Sequence, residues 1–312
     1  MATRSSPSRE PGLPDPARGQ GMGASTVAGS FARVGARRVA QLFDGGALFW
    51  LLGALALTYL ALPILALLWA EPWSGVPAAV SDPIAVGALE TSLVGATIAT
   101  AAIALLGIPL AYVLAHWRFR LRPLVTLLIY VPLVFPAVVS GIAQLLVYGP
   151  HGLIGGLFLP HGVIGRLFSS DNLELDTSFA GVVLAQTFVA APFAIVAARA
   201  AFETVDPATE RVAATLGATR WRIFWTISLP QAWGGVLAGL ILTWLRAMGE
   251  FGATAVLAYH PYTLPVYIYV QLTGLGLPAA LPLALLALVA CVVAIGLAML
   301  VAGRSRIPGA HP

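Results

Sequence analysis

Asp206–Pro230, DPATERVAATLGATRWRIFWTISLP, is one long polar-amphipathic stretch between strongly apolar runs. Asp206 followed by Pro207 predicts a helix start. An Asp side chain accepts from the free N–H groups of a first turn, and Pro has no N–H to leave unpaired there. Ala, Thr, Glu and Arg carry this helix to Leu216. Gly217 interrupts it, Ala218-Thr219 restarts it, and Pro230 is expected to close the stretch before the next apolar run. The pattern reads as helix, Gly bend, helix, too charged to enter hydrocarbon. It belongs at a membrane face, with Val212, Leu216, Ile223 and Phe224 expected to be buried in protein.

The rest of the chain supplies the membrane. Its 312 residues are 59% hydrophobic and 10% charged, with mean hydropathy +0.88. That composition is of a polytopic helical membrane protein, all-α. Six apolar runs approach the length a span requires, at 47–70, 86–115, 124–148, 179–202, 233–258 and 280–302. Pro132 and Pro136, followed by Ser140-Gly141, predict a kink in the third. Residues 1–30 are Pro, Gly, Ser, Ala and Arg with few large apolar side chains, and are expected to be disordered. No apolar core precedes a cleavage site there, so no signal peptide is read. Phe31–Phe43 fits either an amphipathic helix on the inner leaflet or a basic linker.

All 17 basic residues are Arg. Without Lys the chain cannot carry an ordinary P-loop, whose Lys contacts the phosphates. An ATP-driven role therefore requires a separate ATPase polypeptide. The Arg placement is topological rather than a nucleic-acid stripe. Fifteen fall before the first run, between the second and third, between the fourth and fifth, or after the sixth. The opposite loops hold only Arg166, and Arg246 lies inside the fifth run. The positive-inside rule then places both termini and Asp206–Pro230 in the cytoplasm.

Little points to covalent chemistry or a metal. Cys291 has no partner for a disulfide or a metal site at useful spacing. The outer loop 149–178 carries a near-repeat, PHGLIGGLF at 150–158 and PHGVIGRLF at 160–168, whose His151 and His161 are too few for a metal site. It reads as a pair of interfacial turns or short helices forming an outer rim. No catalytic residue and no cofactor is expected.

Arg246 and Glu250 stand four apart in LRAMGEFGAT, within the fifth run. On a helix they share a face and pair. Ionisable groups at membrane depth are costly and face protein or water. Two compatible readings stay open: an ion pair locking the bundle, or a face lining a translocation path or its gate. Gly249 and Gly252 flank Glu250 and permit close approach of a second helix. Ser92, Thr97, Ser140, Gln144, Gln186 and Thr187 either line a path or bond between helices. Trp221 and Trp225, with Arg220 and Arg222, fit interfacial anchors.

Asp206–Pro230 resembles the EAA loop in permease subunits of binding-protein-dependent ABC importers. Glu210, Ala213, Gly217, Ile227, Leu229 and Pro230 match that loop in register, while Val212 replaces its first Ala and Arg211 stands where a second acid is common. The resemblance implies a type I importer permease-like fold of six transmembrane helices with a cytoplasmic coupling helix. It implies that the matched residues, with Arg220 and Arg222, contact or transmit to an ATP-binding subunit. RAMGEFGAT, continuing to Thr263-Leu264-Pro265, is similar to the molybdate, tungstate and sulfate branch, although AYHPYTLP at 258–265 departs from the loop usual there. The implied path or gate residues are Arg246, Gly249, Glu250 and Gly252. The expected organisation is a basic cytoplasmic segment 1–46, a first helix with its outer loop 47–85, a permease domain 86–302, and a cytoplasmic tail 303–312. The implied partners are a second copy, ATP-binding cassette subunits, an extracytoplasmic solute-binding protein and the lipid of a prokaryotic cytoplasmic membrane. Related permeases carry ferric iron, thiamine or polyamines. A secondary transporter, which would show inverted repeats, is the rival from another class.

Overall fold

A computed structural model describes residues 46–70, 72–154 and 177–304. The segment 1–45, most of the outer near-repeat and the last eight residues, about which expectations were stated above, lie outside the described residues. The chain divides into two units, residues 1–66 and 67–312.

The described part of the first unit belongs to helix α1, Gly46–Trp69, apolar throughout and long enough to cross a membrane. The second unit holds everything else. A 3-10 turn at Pro72–Gly75 and the short α2, Val76–Ser81, lead into α3, Pro83–His116. Asp82 starts α3: its Oδ1 accepts from the Ile84 N–H at 2.9 Å, and Pro83 fills the first position. Its Oδ2 accepts from the Tyr267 hydroxyl at 2.7 Å, tying α11 (Leu264–Leu275) to the same point. α6, Phe179–Glu203, is capped by Ser178.

The core is the seam of α3, α6 and α9 (Leu229–Met248), and small residues make it. Ala96, Ala111, Ala190, Ala194 and Ala198 are fully enclosed. A side chain at Gly239 would meet the Ala197 methyl at 2.8 Å. Apolar lipid offers no drive for helices to separate from it and pack, so van der Waals contact between close backbones supplies the attraction.

Two expected spans are built differently. The third run is not one helix: α4, Arg122–Val134, stops, and α5, Ala137–Tyr148, begins after a break. Phe135 precedes Pro136, and the proline ring pushes it out of the helical region, to φ −63°, ψ 130°. The kink expected from Pro132 and Pro136 is thus a full interruption at the second proline. The fifth run begins earlier and ends earlier than expected. α8, Arg220–Ile223, continues through a π-helical turn, Phe224–Ser228, into α9, and the helix stops at Met248. Pro230 therefore lies in the first turn of α9 and closes nothing. A short α10, Gly252–Leu257, follows. α12, Leu277–Arg304, completes the chain.

Among the described residues, five helices are long and apolar enough to cross a membrane: α1, α3, α6, Arg220–Met248 and α12. The sixth expected crossing is divided between α4 and α5.

Candidate functional site

Two constructions carry the expected functional residues, one at the Gly217 bend and one at the turn after α9. The first is the helix–Gly–helix segment. α7, Pro207–Thr215, begins where predicted, with Asp206 Oδ1 accepting from the Ala208 N–H at 2.8 Å. It ends at Gly217, whose φ of +86° lies in the left-handed region that costs other residues most. The N–H groups of Gly217 and Ala218 donate to the carbonyls of Ala214 and Ala213, both at 3.1 Å. Thr219 then caps α8 by accepting from the Arg222 N–H.

Glu210 holds this segment to the bundle. It is buried, and its Oε1 accepts from the Ser228 hydroxyl at 2.5 Å and lies 3.0 Å from His116 Nε2. One carboxylate oxygen thus joins the end of α3, α7 and the π-helical turn. His116 Nδ1 sits 3.0 Å from the Tyr112 carbonyl, and the two rings lie against each other at a tilt of 38°, centroids 4.1 Å apart. Phe202 and Phe224 pack edge-on around Tyr112. Sequence reasoning placed Glu210 among residues contacting a partner and missed His116, Tyr112 and Ser228. A lone His at the end of an apolar run was the only signal available.

The expected burial of this segment is half right. Ile223 and Phe224 are buried, but Val212 is 59% and Leu216 83% exposed. The helical period explains it. Glu210 occupies the inward face of α7, and residues two and six positions later turn about 200° and 240° away from it. Trp221 and Trp225 are also exposed. Arg211, Arg220 and Arg222 make no ion pair among the described residues. Of the other matched positions, Ala213, Ile227 and Leu229 are half-buried and Pro230 is exposed.

The second construction is the turn after α9. Arg246 and Glu250 pair as expected, Nη1 to Oε2 at 2.6 Å, but not on one helix. Gly249 ends α9, and the Glu250 side chain turns forward to accept from the Ala253 N–H at 2.8 Å, starting α10. Glu250 is 1% exposed and Arg246 retains a partly open side. Gly252 serves the close approach foreseen for it: a side chain there would lie 2.6 Å from the Ala137 methyl. Gly141 does the same opposite Ala253 and Val256. α5 and α10, each following a break, therefore pack directly on one another. Gly249 does not serve close approach, since only its own turn's Leu245 carbonyl lies within reach.

The polar residues of the apolar runs divide. Ser92 accepts from the Leu264 N–H, and Thr97 accepts from Trp244 Nε1, so both bond between elements. The side-chain polar atoms of Ser140, Gln144 and Gln186 are buried without a hydrogen-bond partner among the described residues. Thr187 is half-buried. His151 is exposed, and His161 lies outside the described residues. Among the described residues no three His, Cys, Asp or Glu come together as metal ligands.

Residues 105–307 match the family model of the binding-protein-dependent transport system inner membrane component. This chain belongs to that family. The permease spans the membrane several times and is the inner membrane component of a transport system. It is 43% identical over 235 residues to the probable molybdenum ABC transporter permease protein of Haloferax volcanii, covering 75% of this permease and 82% of the relative. It is 40% identical to the molybdate/tungstate transport system permease protein WtpB of Thermococcus kodakarensis, over 77% and 88%. Among solved structures, a chain of a bacterial alginate ABC transporter, in complex with an alginate pentasaccharide-bound periplasmic protein, superposes with TM-score 0.64. It covers 83% of this permease and 94% of that chain at 18% identity, which speaks for the fold alone. A chain of the MetNI methionine ABC transporter gives TM-score 0.55 over 71% and 96%. The type I importer permease fold expected from the EAA-like loop is thereby established.

Proposed function

We propose that this permease passes an oxyanion, molybdate or tungstate first and sulfate next, across the cytoplasmic membrane of a prokaryote. The cargo rests on the relatives' names and on the GEFG stretch. Two copies form the path between them, two ATP-binding subunits hydrolyse the ATP, and an external solute-binding protein delivers the anion. The permease domain is 86–302, with both termini and Asp206–Pro230 in the cytoplasm, as the Arg distribution favours.

The observation that carries the coupling role is the exposed Val212 and Leu216 beside the buried Glu210. An apolar face on a polar loop outside the hydrocarbon is an unfilled contact. Val212 and Leu216 enter a groove of the ATP-binding subunit, and Arg222 meets its acidic rim. Glu210, Ala213, Gly217, Ile227, Leu229 and Pro230 set the shape of the segment. Arg220, expected among the coupling residues, is given a different role in this reading: its guanidinium lies over the Trp117 ring, and it faces the membrane rather than the ATP-binding subunit. Closure of the ATP-binding subunits draws the two α7 helices together. Glu210 passes that movement to α3 and to the π-helical turn, and so to α9. The spans open outward and accept the anion, and hydrolysis resets them. At the far end of α9, the turn of Arg246, Gly249, Glu250 and Gly252 forms part of the path or its gate. Glu250 holds one side of the Arg246 guanidinium, whose open side attracts the anion. No bond of the cargo is made or broken, and no cofactor is needed.

The test is ATP hydrolysis in liposomes holding this permease with its ATP-binding subunit, plus its binding protein loaded with molybdate, tungstate or sulfate. Stimulation by a loaded binding protein, lost on Gly217→Pro, is the expected result. Stimulation by iron or thiamine instead discards the oxyanion, and transport without any ATP-binding subunit overturns the whole reading.

A further inference from the structure

Where the coupling segment runs into α9, the surface carries a groove between α3 and that segment. Two adjoining hollows share Pro109, Trp221 and Phe224. One, of about 610 Å³, lies between α3 and α9 and is walled by Leu105, Ile108, Trp225, Leu229, Trp233 and Val236. The other, of about 430 Å³, opens between Trp117 and Arg220. Every lining side chain except Arg220 is apolar or aromatic. Trp225 and Leu105 are exposed along the walls.

The charge sits only at one end. Arg220 lies over the Trp117 ring, its guanidinium carbon 5.7 Å from the centroid, and pairs with no carboxylate among the described residues. Arg118 and Arg120 follow Trp117 in the exposed link to α4. From Val113 to Ala104 the α3 wall covers ten residues, nine helical rises or about 14 Å. That matches one leaflet, about half of a ~30 Å hydrocarbon core. Tryptophans flank the charged end, at the depth where they prefer to lie.

We propose that this groove is a binding site for an anionic phospholipid of the leaflet on the Arg220 side. One acyl chain fills the hollow between α3 and α9, and the phosphate sits on the Arg220 guanidinium. A zwitterionic lipid fits the apolar part but brings a cation to the arginines. A soluble anion fits only the mouth. The lipid chain lies against Phe224, which opens the π-helical turn whose Ser228 holds Glu210, and Leu229, which follows it.

The experiment uses the full-length chain in nanodiscs of phosphatidylcholine, titrated with phosphatidylglycerol or phosphatidylcholine brominated on its acyl chains, and reads tryptophan fluorescence. Brominated phosphatidylglycerol is expected to quench with about fivefold stronger association, the preference one arginine at a membrane surface supports. Arg220→Gln brings the two lipids close to parity, and Arg220→Lys keeps the preference. Ala104→Phe, which fills the groove, reduces quenching by both. Equal quenching in the wild-type chain, or an unchanged preference in Arg220→Gln, overturns the site. So does loss of the preference on adding millimolar inorganic phosphate, which makes a free anion the occupant. Loss of the preference on adding the ATP-binding subunit, or on dimerisation, makes the groove a protein interface and equally refutes it.

Discussion

Gly252 is the point where α10 and α5 touch, and its replacement has a calculable result. A methyl added there lies 2.6 Å from the Ala137 methyl, and 3.2 Å from both the Ala137 carbonyl carbon and the Val138 nitrogen. Carbons in contact rest about 3.5–4.0 Å apart, so the two helices must separate by roughly 1 Å. Overpacking of this kind costs about 1–3 kcal/mol. Ala137→Gly removes the nearest atom and leaves only the 3.2 Å contacts, which need a shift of a few tenths of an ångström. On its own it costs at most about 1 kcal/mol, being a Gly at the first position of a helix. Gly252→Ala is therefore expected to lower the thermal midpoint of the purified protein in detergent, followed by tryptophan fluorescence. The double variant recovers more than half of that loss, a favourable coupling of about 1–2 kcal/mol. Additive losses, or no loss from Gly252→Ala, would refute direct packing of α5 on α10.

Further outcomes follow from the same geometry. At Gly217 nothing lies within 4 Å of an added Cβ, so only the backbone resists. Gly217→Asn should cost least, Gly217→Ala about 1–2 kcal/mol of local strain, and Gly217→Pro most. ATP hydrolysis coupled to cargo should fall in that order while the yield of membrane-inserted protein holds; an equal fall in all three would show that φ is not the constraint. Arg246→Ala strands a carboxylate that is 1% exposed, and should cost about 3–5 kcal/mol in thermal unfolding. Glu250→Gln should cost less, since an amide oxygen still accepts from the Ala253 N–H; the reverse ranking would refute the capping role of Glu250.

Much of the fold was legible along the chain. Apolar runs of span length, Asp206-Pro207 as a helix start and Gly217 as its end are decided by a few adjacent residues, because caps, turns and hydrocarbon solubility act locally. The Arg246–Glu250 pair was also legible, though for an incomplete reason: four residues bring the two groups together across a helix end as well as along a helix. The interruption at Pro136 was read as a kink, since a proline forbids a helical neighbour in the same way whether the chain then bends or stops.

What the sequence determined by itself is the solvent of each segment and where its backbone can turn. Composition sets the first, and Asp, Pro and Gly at particular positions set the second. Only the tertiary structure decided which face of each helix is spent inside the protein. Glu210 turns inward because His116 lies 94 residues before it and Ser228 18 residues after it, and both reach the same oxygen. With that face occupied, the helical period leaves Val212 and Leu216 outside, although both are apolar. Side-chain pairing over such separations depends on how α3, α7 and the π-helical turn meet, and no local rule of sequence carries that information.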